Sequence, residues 1–410
     1  MKARPDLPGE KSPEHIEVIQ LTTEAVPSSH VYMEAQVFTP DSKRFVLHRS
    51  AHAHGRDPKD PEHRYLLCDI EDGCSLTPLT TEVGAVAPSL SPDGNVMYYL
   101  VDETEPGGGR LTLKRVDLDG THRETLLVLD APIPGTDLRP SRIYPLSTIS
   151  SDGKRLAAAA FLGDGKTEGA PFGLLVFDPE RATVSLVLHG QSWCNLHPQY
   201  CRSTDAPHDI MVQENHGNVC DAAGKISKLT GGTGADIHLI RDDGTEMRDF
   251  PWGRDGNEFC QGHQCWRGRS DWAITSTGTR DVNENQLIES PAAPHVGHEG
   301  LNTPGGVRND LSRSFDGRPS FCHFQTDASG ERLITDAAPF DAGGSLWLAE
   351  LGTPGAEPVR RWTRLVSPRC SCVKESHLHP FLSPDGSMGF FNSDESGVLQ
   401  AYMVRGLDAL

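Results

Sequence analysis

The chain has 410 residues and a net charge of −19, from 38 basic and 57 acidic side chains. So acidic a surface argues against nucleic acid or an anionic membrane as partner, and no apolar run approaches the length of a membrane span. Glycine (41) and proline (30) are abundant and 36% of residues are hydrophobic, which suits a turn-rich β protein rather than a disordered chain.

Residues 1–14 are expected to form an extended arm. Met1-Lys-Ala-Arg-Pro-Asp-Leu-Pro-Gly9 carries no apolar segment of the kind that opens a secretory signal, so the expected compartment is the cytoplasm. Ile16-Glu-Val-Ile-Gln-Leu-Thr22 then alternates as a strand. A second strand, Val31 to Phe38, leads into Thr39-Pro-Asp41-Ser-Lys-Arg44, the first of a series of related turns. The others are Ser91-Pro-Asp93-Gly-Asn95, Ser150-Ser-Asp152-Gly-Lys-Arg155, Ser203-Thr-Asp205-Ala-Pro207, Thr326-Asp327-Ala-Ser-Gly330 and Ser383-Pro-Asp385-Gly-Ser387. Their aspartates are separated by 52, 59, 53, 122 and 58 residues. The long gap is two periods, and a degenerate copy, Arg267-Gly-Arg-Ser-Asp271, lies within it. Seven units result, and self-similarity at such a period marks a repeat architecture.

Short alternating or apolar runs flank each turn, as in Val96-Met-Tyr-Tyr-Leu-Val101 and Met388-Gly-Phe-Phe391. Proline sets φ, aspartate bonds its own backbone and glycine accepts positive φ. Four short antiparallel strands per unit make one blade, and a ring of blades leaves no long exposed sheet edge. The competing arrangements are an open solenoid and a pair of sandwiches. The chain ends favour closure, because the last unit has only two strands after its turn, Met388 to Asn392 and Leu399 to Val404. Ile16–Thr22 has no blade of its own and supplies the missing strand. The expected fold is therefore all-β, a seven-bladed β-propeller spanning residues 1–410 as one domain, its ring closed by the N-terminal strand.

The 10 cysteines are irregularly spaced and form no CxxC pair. The closest spacings are Cys370-Ser-Cys372 and Cys260 to Cys265. They read as reduced thiols of a cytosolic protein, with a structural zinc as the alternative.

The chemistry is concentrated in the 18 histidines. In Ser376-His377-Leu-His379-Pro380, an HxH on a strand places both imidazoles on one face. This segment precedes the last turn motif, where the innermost strand of a blade lines the central channel, and two imidazoles there can share a metal ion. Cys322-His323-Phe324 holds the same place one blade earlier, so His323 can complete a three-histidine face. His197-Pro-Gln199-Tyr and Gly262-His263-Gln264-Cys265-Trp266 occupy it in the two blades before that, and His216-Gly217 ends a strand. Four consecutive units with a histidine just upstream of the turn would ring one mouth of the channel; the bland alternative is a polar, hydrated lining. His52, His54, His63, His122, His208, His295 and His298 fall in polar loops and receive no role.

These motifs resemble the oligogalacturonate lyase family, polysaccharide lyase family 22 and its relatives. The resemblance rests on the first-blade segment Val31 to Arg44, His197-Pro-Gln-Tyr-Cys-Arg-Ser-Thr-Asp205, Gln213-Glu-Asn-His216-Gly, Gly262-His263-Gln-Cys-Trp266, His323, and Ser376-His-Leu-His-Pro-Phe-Leu-Ser-Pro-Asp-Gly386. It implies a divalent metal, Mn2+ first and Zn2+ or Ca2+ as alternatives, with His323, His377 and His379 as ligands and His263 as general base. His197 and His216 join the catalytic set, and Gln199, Arg202, Gln264 and Trp266 the substrate-binding set. Two positions depart from the family. Its fourth ligand, a glutamine, falls on Lys374, leaving the adjacent Glu375 as candidate ligand. Its catalytic arginine has no counterpart in Gly234-Ala-Asp236-Ile-His238-Leu239, leaving Arg202, Arg139 and Arg142 as substitutes.

The implied reaction is β-elimination on a short anionic uronate oligosaccharide, giving a 4,5-unsaturated product. One alternative is a lyase for another uronate glycan, ulvan or a glucuronate-containing chain. The other is a non-catalytic TolB-like interaction platform, which carries the same turns and has no need of a histidine ring.

Overall fold

Four of the turn motifs share a small hydrogen-bond network. In Ser91–Asn95 the serine Oγ donates to Asp93 Oδ1 at 2.5 Å and accepts from the Val96 amide at 3.0 Å, while Asp93 Oδ1 accepts from the Asn95 amide. Thr39–Arg44, Ser150–Arg155 and Ser383–Met388 repeat this arrangement. In the sixth unit the roles swap. Asp327 takes the position of the serine and receives the Glu331 and Arg332 amides, and Ser329 Oγ donates to it at 2.6 Å. The chemistry is the same with its polarity reversed.

The computed structural model describes residues 1–49, 59–229, 234–252, 258–279, 284–292, 307–357, 359–373 and 376–410. Seven sheets form the blades of a β-propeller, each an antiparallel meander with strand order running from the channel outward. Blade 4 carries an additional small hairpin, Val219–Cys220 with Ile226–Lys228. Blade 7 is completed from the other end of the chain: Glu17–Gln20 pairs with Gln400–Arg405, as the unpaired N-terminal strand predicts. The segment 1–14, expected as an extended arm, includes a further strand, Lys2–Ala3, on the outside of that clasp, and Leu7 is buried in the adjoining core. The Arg4 guanidinium, bonded to both Glu395 and Asp6, ties the same segment to blade 7. The core lies in seven apolar clusters, most of them spanning two adjacent blades.

Two regions differ from the expectation. Val31 to Phe38 is not a continuous strand. The ladder holds only for Ser28–His30, after which the chain turns inward, with the Ala35 amide on the Tyr32 carbonyl. The segment then bonds to four other blades. Gln36 accepts the Leu90 amide on its carbonyl and reaches Thr148 and Ile149 with its side chain. Arg202 Nη2 donates to the Glu34 carbonyl, and Gln325 Nε2 to that of Met33. Tyr32, Met33, Glu34 and Ala35 are all buried, so blade 1 fills the channel that a plain ring of seven would leave open. His63 also departs from its assignment to a polar loop: it is buried, with Nε2 on the Ala85 carbonyl at 3.0 Å.

The degenerate turn of blade 5 has a structural cause. Arg267 replaces the serine and buries its guanidinium between blades 5 and 6, bonded to Glu289 and to the carbonyls of Gly330 and Gly352. Departure from the motif there is therefore explained by a buried ion pair within blade 5 whose guanidinium also bonds two carbonyls of blade 6.

Candidate metal centre and its surroundings

The histidines upstream of the turns converge, by a route different from strand alternation. Residues 376–380 precede the short inner strand Phe381–Leu382, so a two-residue period does not apply to them. Instead His379 adopts φ 42°, ahead of Pro380, and His197 adopts φ 46°, ahead of Pro198. Left-handed backbone at a non-glycine residue is costly and is held in place by surrounding contacts. In blade 6, the inner strand Phe321–Thr326 breaks register between Phe321 and Phe324. A bulge of this kind re-aims side chains, and here it lets consecutive Cys322 and His323 reach one cluster.

Ring centroids of His323 lie 4.5 Å from His379 and 5.7 Å from His377, and the latter two are 5.3 Å apart. One nitrogen from each imidazole lies within 4.8 Å of the other two. His323 is anchored from behind. Its backbone amide donates to Asp336 Oδ1 at 2.8 Å, and its Nδ1 is 2.7 Å from Asp336 Oδ2. With the Nδ1 proton on that carboxylate, Nε2 is left as a lone-pair donor. Burial alone lowers the His323 pKa, but the Cys322 sulfur and the Asp336 carboxylate outweigh it and hold it well above the ordinary value, so Nε2 offers its lone pair once a cation displaces its proton.

His263 completes the group, with its ring 4.7 Å from that of His323 and its Nδ1 3.7 Å from Cys322 Sγ. The inner strand of blade 5, Glu258–Trp266, breaks register between Cys260 and Gln264, which frees His263 from the regular ladder. Gly262 permits this: its φ is +85°, and a Cβ there would stand 2.4 Å from the Gln213 side chain of blade 4. Backbone can approach that closely only without a side chain.

Tyr32 of the channel-filling segment forms the floor, its ring 4.7 Å from His379, 5.4 Å from His197 and 6.3 Å from His323. Burial raises the Tyr32 hydroxyl pKa well above the ordinary phenol value, so it is neutral. His197 is buried and bonded to Glu34 Oε2 at 2.7 Å; burial raises the Glu34 pKa against the opposing pull of that imidazole. His216 belongs to another group, at the end of blade 4. Its Nε2 is 2.7 Å from Asp236, and Glu214 bridges to His238, whose second nitrogen meets Asp249.

Of the expected substrate-binding residues, Gln264 is fully buried beside His263, and the other three line a chamber without the clustered imidazoles. Gln199 Nε2 donates to the Gln264 carbonyl and Trp266 Nε1 to that of Gln199, tying blades 4 and 5 together. Gln199, Arg202 and Trp266 line a chamber of about 350 Å³ with Glu34, Gln325 and Phe324, and none of His263, Cys322, His323, His377 or His379 is part of its wall. Burial lowers the Arg202 pKa to about 10. Arg139 bonds the Asp130 carbonyl and Arg142 that of Gly224. Glu375 and Lys374, like His52, His54, His295 and His298, lie outside the described residues.

Cys322, Asp336, Tyr32 and Glu34 belong to the site without having been singled out from the sequence. Cys322 adjoins a candidate ligand and could have been suspected. Asp336 lies on the second strand of its blade, 13 residues from His323, and no local pattern announces it. The donor set fits a divalent metal. It consists of three imidazole nitrogens at mutual reach, one of them oriented by a carboxylate as metal-binding histidines commonly are.

No family model matches the chain, and no curated protein matches it in sequence. Solved structures do match its fold. An oligogalacturonate lyase in complex with manganese is similar over 99% of this chain and 96% of that one, at 17% identity and a TM-score of 0.71. An oligogalacturonate lyase from Vibrio parahaemolyticus is similar over 99% and 97%, at 15% identity and a TM-score of 0.69. A prolyl endopeptidase aligns over 94% of this chain and half of its own length, at 12% identity and a TM-score of 0.53. The chain thus has the propeller fold that the oligogalacturonate lyases share, a fold that also matches half of a prolyl endopeptidase, so its activity has to be argued from the site.

Proposed function

We propose that the protein is a metal-dependent lyase that cleaves short uronic-acid oligosaccharides by β-elimination. The observation that carries this reading is the cluster itself: three imidazoles from two adjacent blades within ligand distance of one another, with a fourth, His263, against them. The overall likeness to structures of oligogalacturonate lyases, one of them a manganese complex, supports it.

His323, His377 and His379 would hold the ion, with manganese our first assignment from the resemblance. When bound, such an ion neutralises the charge that builds on a uronate carboxylate as C5 is deprotonated. The protein's own residues do the rest. His263, half-buried, is the base: in the tautomer that places its proton on Nδ1 toward the Cys322 sulfur, Nε2 carries the lone pair that accepts the C5 proton. The C5–H electrons become the C4–C5 double bond as the C4–O bond breaks. The imidazolium so formed at His263 returns its proton to the leaving oxygen, and His216, held by Asp236 in its separate group at the end of blade 4, would serve substrate hydroxyls. His197, buried against Glu34, supports Tyr32 and the site's floor. Arg202 faces the separate chamber, so substrate charge has to be met at the histidine cluster.

The test is digestion of a panel of short uronate oligosaccharides, followed by ultraviolet absorbance of the new double bond. Activity abolished by chelation and restored by a divalent metal is expected. Activity indifferent to chelation excludes the scheme, and inactivity on every uronate favours an interaction platform. We place the reaction in a reducing compartment, since all ten cysteines are free thiols.

A further inference from the structure

We infer that Cys322 is a thiolate ligand of the metal centre, which makes the site a sulfur-containing one suited to zinc or another thiophilic ion. The inference rests on the metal-site reading above.

The register break in blade 6 is the first support. In a regular strand Cys322 and His323 would point to opposite sides of the sheet; across the break both reach the cluster. Cys322 Sγ lies 3.8 Å from His323 Nε2, the nitrogen left for a metal once Nδ1 is committed to Asp336. For Zn–S near 2.3 Å and Zn–N near 2.0–2.1 Å, two ligands on a tetrahedron stand about 3.6 Å apart, so the pair is already close to a coordination edge. The second support is that His263, Cys322 and His323 form a ligand group of their own within 4.8 Å, sharing His323 with the group that contains His377 and His379. His263 Nδ1, 3.7 Å from the sulfur, is positioned to donate its proton to a thiolate, which fixes the tautomer required of a base at Nε2. Cys322 is half-buried, whereas seven of the other cysteines are buried. Soft thiolate ligands select zinc and similar ions over manganese.

The experiment is cobalt substitution. Metal-free protein and its Cys322→Ser variant are loaded with one equivalent of Co2+ under anaerobic conditions and their absorption spectra compared. The wild type should show a near-ultraviolet sulfur-to-cobalt charge-transfer band. The variant should bind cobalt with that band lost and its visible bands retained. Cobalt bound to the wild type without the band, or a band that survives in Cys322→Ser, overturns the inference. Should the variant fail to fold, alkylation of the wild type read by peptide mass spectrometry decides: bound zinc should slow modification of Cys322 at least tenfold while the other reactive thiols are unchanged, and equal rates with and without zinc refute it. Neither readout depends on turnover. A sulfur band in a protein inactive on uronates refutes the reaction alone, and a uronate lyase without the band refutes only the thiolate.

Discussion

At the scale of single residues, the site divides into groups that do chemistry and groups that aim them. His263→Ala removes the proposed base, and turnover should fall roughly 10²- to 10⁴-fold, the usual share of a positioned general base. Melting temperature and metal content should stay near those of the wild type; retained turnover would move the base to His216. Asp336 acts at one remove. It is buried and bonded to both the ring and the backbone of His323, so Asp336→Asn should weaken metal binding roughly 10–100-fold, as loss of such partners does elsewhere. Titration with a competing chelator measures that change, and an unaltered affinity would place the ion away from His323.

At the scale of elements, the recurring turns carry a pH dependence whose sign is fixed by their hydrogen bonds. The Ser91 hydroxyl holds the Asp93 carboxyl below its ordinary range, and Thr39 does the same for Asp41. A carboxylate depressed in the folded state contributes stability that is complete above its unfolded pKa of about 3.9 and disappears as pH falls toward the folded value. The part of the melting temperature that these turns supply should therefore hold down to about pH 4 and then drop. Asp93→Asn, which cannot titrate, should make that drop shallower; an unchanged slope would deny these turns their role. The blade 5 turn is held differently. Arg267 and Glu289 are both buried, so Arg267→Met leaves a lone carboxylate and should cost about 3–5 kcal/mol in denaturant unfolding. These same turns made the blades legible in the sequence, because each encodes its own geometry within five residues. The site was legible only where its ligands sit next to a turn. His323, His377, His379 and His263 could be found that way. Asp336, the inward course of residues 31–37 and the left-handed kink at His379 could not, because contacts from other strands and blades decide them, and the histidines that a strand-period argument grouped do cluster, but through a different geometry.

At the scale of the whole molecule, ring closure decides whether the site exists at all. The metal candidates belong to blades 6 and 7, the proposed base to blade 5 and the floor to blade 1, so the cluster is assembled only when the first and last blades are locked together. That lock is the clasp Glu17–Gln20 on Gln400–Arg405, reinforced by the Lys2–Ala3 strand and the Arg4–Glu395 pair. Without it blade 7 would present a bare edge at Gln400–Arg405, whose Ala401, Tyr402, Met403 and Val404 are buried. Unpaired apolar edges of this kind recruit other chains. Deleting residues 1–21 should therefore give a protein that loses cooperative thermal unfolding and elutes as larger species in size-exclusion chromatography with light scattering. Val18→Asp is the milder probe: Val18 is buried in the clasp, and an unpaired carboxylate there should lower the melting temperature and weaken metal binding together, since both depend on the closed ring. A truncated chain that stays in its wild-type association state, melts as before and holds its metal would show that the blades close without the clasp.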